Sequence, residues 1–282
     1  MAHLEHTPTS TDRDIIEGDY EKPRLTQTIS SGAVSMSPEL FEKLYLTPKT
    51  PHAGDNIRRF ANPTPLGFVG FVISTFTFSM VMMGWGGASG LSPVVGIFFF
   101  VGPLLLVLTT IFEWIMGNFF SMMVCGLFSV FWLSFGLLQL PTLGLAAPYS
   151  TSGTDAVAGA ATKEFNAVVA LYLIVWGFAL FTFFIFTLKT NAIFAGIFLF
   201  VTLGAWVLAG AYWKVSTGDY AQAANLQKAG GALLFIVACL GWYMTFVMMA
   251  AEMRLAIKLP VGDLSHFWPR TDIEMGRAEK QA

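Results

Sequence analysis

A single carboxylate, that of Glu113, lies well inside a long apolar stretch of this 282-residue chain, in Thr109-Thr110-Ile111-Phe112-Glu113-Trp114. An ionisable side chain is costly in a stretch that crosses a membrane, so it marks a functional position by default. Two interpretations of this residue stay open. Glu113 either takes part in moving a proton or a solute, or accepts hydrogen bonds from the following turn around Gly117 and Asn118 and serves the structure.

The sequence predicts no other kind of catalytic or cofactor site. The apolar stretches contain no histidine, so they offer no ligands for haem or a metal within a membrane. They contain no nucleophile paired with a base, and the chain has no glycine-rich phosphate loop with a lysine. Both cysteines lie in apolar stretches, where thiols usually behave as small hydrophobic groups. We therefore expect a protein that is not an enzyme and binds neither a cofactor nor a metal.

A distinctive pattern opens the first apolar stretch, Asn62-Pro63-Thr64-Pro65-Leu66-Gly67-Phe68. Two prolines separated by one residue prevent regular helical hydrogen bonding before Leu66, so side chains, water or a solute must satisfy the backbone there. Free amides at a helix start also attract anions. The simpler interpretation is a plain helix start with proline in the first turn, and the pattern by itself favours it.

Charge is nearly absent from the middle of the chain. The sequence has 16 Lys and Arg and 18 Asp and Glu, and only eight of these residues lie between residues 62 and 251. Charged residues make up 12% of the chain, against about 25% in a soluble protein. The middle of the chain is therefore predicted to lie in a lipid bilayer. A net charge of −2 offers no basic surface for nucleic acid, which we exclude as a partner.

Six apolar runs have about the length of 20 residues that a helix needs to cross a bilayer. They cover residues 66–84, 94–116, 119–140, 166–188, 192–213 and 229–251. Six spans place both termini on the same side of the membrane. The sequence thus predicts an all-α integral membrane protein.

The distribution of Lys and Arg sets the orientation of these spans. Seven such residues flank the spans on the side of the N-terminus, and three flank them on the other side. Positive flanks favour the cytoplasm, so both termini are predicted to be cytoplasmic. We divide the chain into a largely disordered cytoplasmic tail (1–57), a six-helix membrane domain (58–258) and a cytoplasmic C-terminal tail (259–282).

Several motifs together resemble the acetate uptake transporter family, which includes the bacterial succinate-acetate permeases and fungal acetate transporter and ammonia-export relatives. The pattern at residues 62–68 is similar to the family signature N-P-A-P-L-G-L. The residues Glu113-x3-Gly117-Asn118-x-Phe120 resemble the family pattern E-x3-G-N-T-F. Phe131-Trp132 and Leu259-Pro260-Val261-Gly262-Asp263 also match family members.

The resemblance implies a six-helix protomer, assembled as a close-packed hexamer, with a solute path through each protomer. Residues 62–67 are expected to form the entrance of this path. In relatives an apolar constriction narrows this path. By motif register the constriction falls on Phe71, Phe128 and Val201. Phe in place of the family Tyr removes a hydroxyl and Val in place of Leu shortens one wall, so the constriction should be drier and slightly wider. Leu106 stands where the family commonly has Gln.

A carboxylate that crosses this region would meet no compensating cation, because no Arg or Lys lies within the predicted spans. We therefore expect the solute to cross as the neutral acid or together with a proton. Ser74 lies three residues after Phe71 and hence on a similar helix face, and Thr202 adjoins Val201. These two hydroxyls are predicted to be polar groups near the constriction, and ordinary bonds between helices are an equal alternative.

The expected function is transport of acetate and similar short monocarboxylates, coupled to protons, by a homo-oligomer in the plasma membrane. Two alternatives remain. One is an acid sensor or regulator with weak transport that signals through its Ser- and Thr-rich N-terminal tail. The other is ammonium export, for which the spans offer phenylalanine walls but no His or Asp.

Overall fold

The computed structural model describes residues 60–257 and 259–269, so the predicted tail 1–57 lies outside the described residues. Seven α-helices follow one another in this part of the chain. They are α1 (Thr64–Met83), α2 (Gly102–Met116), α3 (Phe119–Leu138), α4 (Ala156–Ala160), α5 (Lys163–Thr187), α6 (Ala192–Ser216) and α7 (Tyr220–Glu252). Short 3₁₀ turns cover Trp85–Gly87, Ser92–Phe98, Pro141–Leu143, Ala147–Tyr149 and Ser265–Phe267.

The prediction of six membrane-spanning segments is confirmed at the level of length and composition. Six helical segments are long and apolar enough to cross a bilayer: α1, Ser92–Met116, α3, α5, α6 and α7. Helix α7 begins nine residues before the predicted run, because the Asp219 side chain accepts a hydrogen bond from the Gln222 amide and caps a polar first turn. Hydropathy marks the apolar part of a helix and misses such polar extensions.

The second span is not the continuous helix that its apolar run predicts. Residues Ser92–Phe98 form a 3₁₀ segment, and the α-helix begins only at Gly102. Pro103 stands in the first turn of α2 and has no amide hydrogen to continue a helix from the preceding residues. The break therefore places the N-terminal end of a helix inside the protein.

Helix α1 packs along α7 and α2, while α6 packs along both α5 and α7. Small residues allow the closest contacts. A Cβ atom on Gly177 would lie 1.9 Å from Nε1 of Trp206, so only glycine lets α5 meet this indole of α6. The Trp206 indole thus packs directly against the backbone of α5.

The chain returns to the membrane domain after α7. Residues 259–268, which we name the C-terminal strap, lie across the start of α6. The Gly262 carbonyl accepts a hydrogen bond from the Ala192 amide at 2.7 Å, and Trp268 Nε1 donates to the Leu188 carbonyl at 2.8 Å. Tyr243 of α7 donates its hydroxyl to the Pro260 carbonyl at 2.8 Å. The strap therefore joins the end of α7 to the junction between α5 and α6.

Candidate functional site

The first predicted motif forms a helix start whose first residue is hydrogen-bonded to the side chain of Asn62. Asn62 Oδ1 accepts hydrogen bonds from the Thr64 amide at 3.0 Å and from the Thr64 hydroxyl at 2.8 Å. Pro65 stands in the first turn, where its missing amide hydrogen leaves no bond unmade. Pro63 and Thr64 are buried, whereas Leu66 is exposed on the outer face. The plain helix start that the pattern favours is what the structure shows.

Glu113 lies directly beside this helix start. Its carboxylate is fully buried, with Oε1 bonded to the Thr64 hydroxyl and Oε2 accepting from Asn118 Nδ2 at 2.6 Å. Thr109, one turn earlier in α2, donates its hydroxyl to the Pro63 carbonyl at 3.2 Å. The two motifs that are 49 residues apart in sequence therefore form one network.

This network joins the start of α1, the end of α2 and the start of α3. Gly67 completes the contact, because a Cβ atom there would lie 2.9 Å from the Thr109 hydroxyl oxygen. A buried carboxylate with hydrogen-bonding partners on two other elements is an arrangement that stabilises a helix junction. The geometry supplies a structural role for Glu113 and Asn118, and a role in proton movement stays a prediction.

Two phenylalanines predicted for the constriction meet in the interior. The ring centroids of Phe71 in α1 and Phe128 in α3 are 4.8 Å apart, and both side chains are buried. Phe198 of α6 extends the cluster, with its ring centroid 5.9 Å from that of Phe128. Three helices thus contribute aromatic rings to one apolar contact.

A cavity lies on each side of the Phe71–Phe128 pair. The proximal cavity is next to the start of α1, has a volume of about 20 Å³ and is lined by Gly67, Phe68, Leu106, Val124, Cys125, Phe194, Ile197 and Phe198 besides the pair. The distal cavity, with a volume of about 50 Å³, is next to the end of α1; its lining includes Thr75, Phe78, Phe131, Trp132, Trp176, Tyr212 and Leu234 besides the pair. One water needs roughly 10–15 Å³ on this scale, so both cavities can hold a small molecule or its parts.

Two side chains that depart from the family pattern lie in the walls of these cavities. Val201 lines the distal cavity together with Phe71 and Phe128, and Leu106 lines the proximal cavity. The side chains that replace the family residues are therefore apolar walls at the points where the resemblance expects Leu and Gln. Both cavities consequently have very little polar surface.

The two hydroxyls predicted near the constriction differ in their bonding. Thr202 Oγ1 donates to the Phe198 carbonyl at 2.6 Å, which is an ordinary bond within α6. Ser74 is fully buried, and its hydroxyl has no hydrogen-bonding partner among the described residues. Neither residue lines the two cavities directly.

Trp132 is a residue of the interior that the sequence did not mark as functional. This indole lines the distal cavity, is 3% exposed, and its Nε1 has no partner among residues 60–257 and 259–269. The available signal was its position in the middle of α3 within the motif Phe131-Trp132, which by itself indicates packing as well as it indicates a binding role. Across the same residues no group of three His, Cys, Asp or Glu side chains could hold a metal ion.

Known proteins resemble this chain over most of its length. The sequence profile described as the GPR1/FUN34/yaaH family matches residues 45–266. Protein alcS of Aspergillus fumigatus is 41% identical over 239 residues, which cover 84% of this chain and 88% of that protein. The acetate transporter protein patA of Aspergillus clavatus is 30% identical over 76% of this chain and 83% of its own length. The bacterial acetate channel SatP shares the fold, with a TM-score of 0.53, 23% identity and coverage of 72% of this chain and 99% of that chain.

Proposed function

This chain belongs to the GPR1/FUN34/yaaH family, and from this membership and the geometry of its interior we propose that it transports acetate and similar short monocarboxylates across a membrane. The path runs within the protomer and crosses the Phe71–Phe128 pair. A relative named as an acetate transporter covers most of the same chain length, which supports acetate as the solute. The family points to transport rather than to catalysis.

The observation that carries this proposal is the placement of the two cavities. The proximal and distal cavities lie at opposite ends of α1 and have Phe71 and Phe128 in common. The pair therefore separates two small spaces that would otherwise be continuous. A solute of two or three carbons that moves between these spaces must pass the two rings, so the pair acts as the constriction, and Val201 forms part of its distal rim.

The chemistry of the walls decides the form in which the acid crosses. Both cavities are lined almost wholly by apolar side chains, and transfer of an ionised carboxylate into such surroundings costs far more than transfer of the neutral acid. The acid therefore crosses as the neutral molecule or together with a proton. Uptake should then increase as the external pH falls, because above the pKa of a weak acid its neutral fraction rises about tenfold for each unit by which the pH falls.

The outer surface of the protomer suits a membrane and an oligomer. Large apolar side chains such as Trp114 and Phe100 are more than 70% exposed, which suits a surface covered by lipid or by neighbouring protomers. We assign the protein to the plasma membrane, with both termini in the cytoplasm, as a close-packed hexamer with one path in each protomer. The tail 1–57 and the C-terminal region 259–282 then flank the membrane domain on the cytoplasmic side.

Two other functions fit parts of the structure. An apolar path with Val201 at the constriction and Leu106 in the proximal cavity, in place of the family residues, suits a sensor that retains the fold and transports weakly. Neutral ammonia is also small enough to pass between phenylalanine rings, which suits ammonium export. We favour acid transport because the cavities on the two sides of the phenylalanine pair have room for a solute larger than ammonia.

The direct test measures uptake of labelled acetate by the purified full-length protein in proteoliposomes, with and without an inward proton gradient. We expect uptake above that of protein-free vesicles and stimulation by the gradient. Methylammonium uptake in the same vesicles tests ammonium export. Absence of acetate uptake by folded protein would favour the sensor, and methylammonium uptake alone would favour ammonium export.

Cys125 provides a second test, because its thiol lies in the wall of the proximal cavity and is 2% exposed. Because the side chain is buried, modification by a small methanethiosulfonate reagent should be slow. Acetate in the path should slow it further, by several-fold. The experiment uses the Cys239→Ser protein, which lacks the exposed cysteine of α7. A protein that also carries Cys125→Ser gives the background labelling. A rate of Cys125 labelling that is independent of acetate would contradict a path through this cavity.

A further inference from the structure

The break in the second span leaves the N-terminal end of α2 inside the protein. Helix α2 begins at Gly102 and has 15 residues, so its first turn has backbone amides without partners within the helix. Residues 99–101 join it to the 3₁₀ segment Ser92–Phe98 without forming α-helix. A helix start carries a partial positive charge, which favours a negative group close to it.

Two buried hydrogen-bond donors border this helix start. A Cβ atom placed on Gly102 would lie 2.9 Å from Ser74 Oγ and 3.0 Å from Cδ1 of Trp132, the ring carbon bonded to Nε1. Ser74 is 0% exposed and Trp132 is 3% exposed, and neither Ser74 Oγ nor Trp132 Nε1 has a partner among the described residues. Buried donors in native proteins are nearly always paired, so two unpaired donors at one point indicate a site for an acceptor.

The indole of Trp132 is held firmly in this position. Its ring stacks on Phe98 with the centroids 5.4 Å apart, and Phe78 meets it edge-on at 6.0 Å. The same ring forms part of the wall of the distal cavity, next to Phe71 and Phe128. The donor is therefore fixed where a solute arrives after passing the constriction.

We propose that Ser74 Oγ, Trp132 Nε1 and the first turn of α2 form a subsite that binds the carboxyl group of the transported acid. This proposal rests on the proposed transport function and names the polar contact within its path. The groups that meet at Gly102 can all donate hydrogen bonds, and an indole N–H and a backbone amide can only donate, so the subsite selects an acceptor and disfavours a cation. The hydrocarbon part of the acid lies in the distal cavity, whose lining is apolar.

This subsite explains how the path can recognise the carboxyl group of the acid although Leu106 replaces the family Gln. Leu106 gives the proximal cavity no donor, whereas the subsite supplies donors at the break of the second span. Residues 99–101 join the 3₁₀ segment to α2 without forming α-helix, and the proposal requires this connection to shift so that an oxygen atom fits between Gly102 and the indole. Fixed donors lower the cost of removing water from the carboxyl group in the membrane interior.

The experiment measures KM and Vmax for acetate uptake in proteoliposomes with the full-length chain. Trp132→Phe keeps the aromatic ring and removes the donor, and Ser74→Ala removes the hydroxyl. We expect KM to rise about tenfold in Trp132→Phe, because one hydrogen bond to a charged or strongly polar group is lost. In Ser74→Ala we expect KM to rise severalfold. The matched control is Trp242→Phe, the same change at an indole that is 53% exposed on α7, and its KM should equal that of the unaltered protein.

The outcomes separate this proposal from the transport function. Unchanged KM in both variants, with acetate uptake by the unaltered protein, would overturn the subsite and show that the two donors serve only water or packing. Absence of uptake by the unaltered protein would overturn the transport function instead. Should Trp132→Phe fail to fold, Ser74→Ala still tests the subsite, since serine to alanine in a helix is a small change. A fall in Vmax at constant KM would also contradict a binding role.

Discussion

Replacement of Phe71 by alanine is expected to raise the uptake of lactate relative to acetate by about tenfold, equivalent to about 1.4 kcal/mol of lost discrimination. The substitution removes one of the two rings whose centroids lie 4.8 Å apart between the cavities. Without this ring the proximal and distal cavities merge, and the space then admits a third carbon and a hydroxyl. Competition by lactate and propionate against labelled acetate in proteoliposomes measures the change.

The matched control for this prediction is Phe76→Ala, which makes the same change on α1 at a ring that packs against Phe235 and Trp242, away from both cavities. Its acid selectivity should not change. Val201→Ala should give the same trend as Phe71→Ala with a smaller effect, because it removes two methyl groups from the distal rim. Unchanged selectivity in both Phe71→Ala and Val201→Ala, in folded protein, would remove these residues from the constriction.

Replacement of Glu113 by alanine is expected to lower the free energy of unfolding by about 2–3 kcal/mol. The substitution leaves the buried amide of Asn118 without its carboxylate acceptor and breaks the link to Thr64 at the start of α1. Thermal unfolding of the purified protein in detergent measures the loss. Glu252→Ala is the control, since Glu252 is exposed at the end of α7 and its loss should change stability little.

Glu113→Gln separates the structural role from a role in proton movement. A glutamine can accept from Asn118 Nδ2 through its oxygen and donate to the Thr64 hydroxyl through its amide, while that hydroxyl donates to Asn62 Oδ1. The variant should therefore unfold at nearly the temperature of the unaltered protein. Equal pH dependence of acetate uptake in the two proteins assigns Glu113 to the structure, and loss of that dependence in a stable variant assigns it to proton movement.

Much of the fold could be predicted from composition, because burial in lipid demands long apolar helices whatever their packing. The six runs, the helix start at residues 62–68 and the isolated Glu113 are all visible in the sequence. The break in the second span was harder to predict. Gly102 and Pro103 are visible in the sequence, yet both residues also occur within continuous membrane helices when neighbouring groups satisfy the backbone.

The pairing of distant groups depended on the tertiary structure. Nothing in the spacing of Thr64 and Glu113 indicates that the start of α1 bonds to the end of α2, since α1 and the broken half-span separate them. Trp132 was one of several tryptophans in mid-span. Only the packing of α3 against α1 and α2 shows that its indole lies beside Gly102 with no partner for the N–H among the described residues. The mid-span Trp242 faces outward instead.

The sequence by itself determined the membrane class, the number of spans and, through its motifs, the family, because these depend on residue type and local order along the chain. The tertiary structure alone decided which rings meet, where the two cavities lie and which polar groups stay unpaired. The physical reason is that a helix in an all-apolar bundle has no strongly polar face to orient it. Its rotation is set by the fit of small and large side chains between neighbours, as at Gly177 and Trp206, and that fit exists only once the helices are packed.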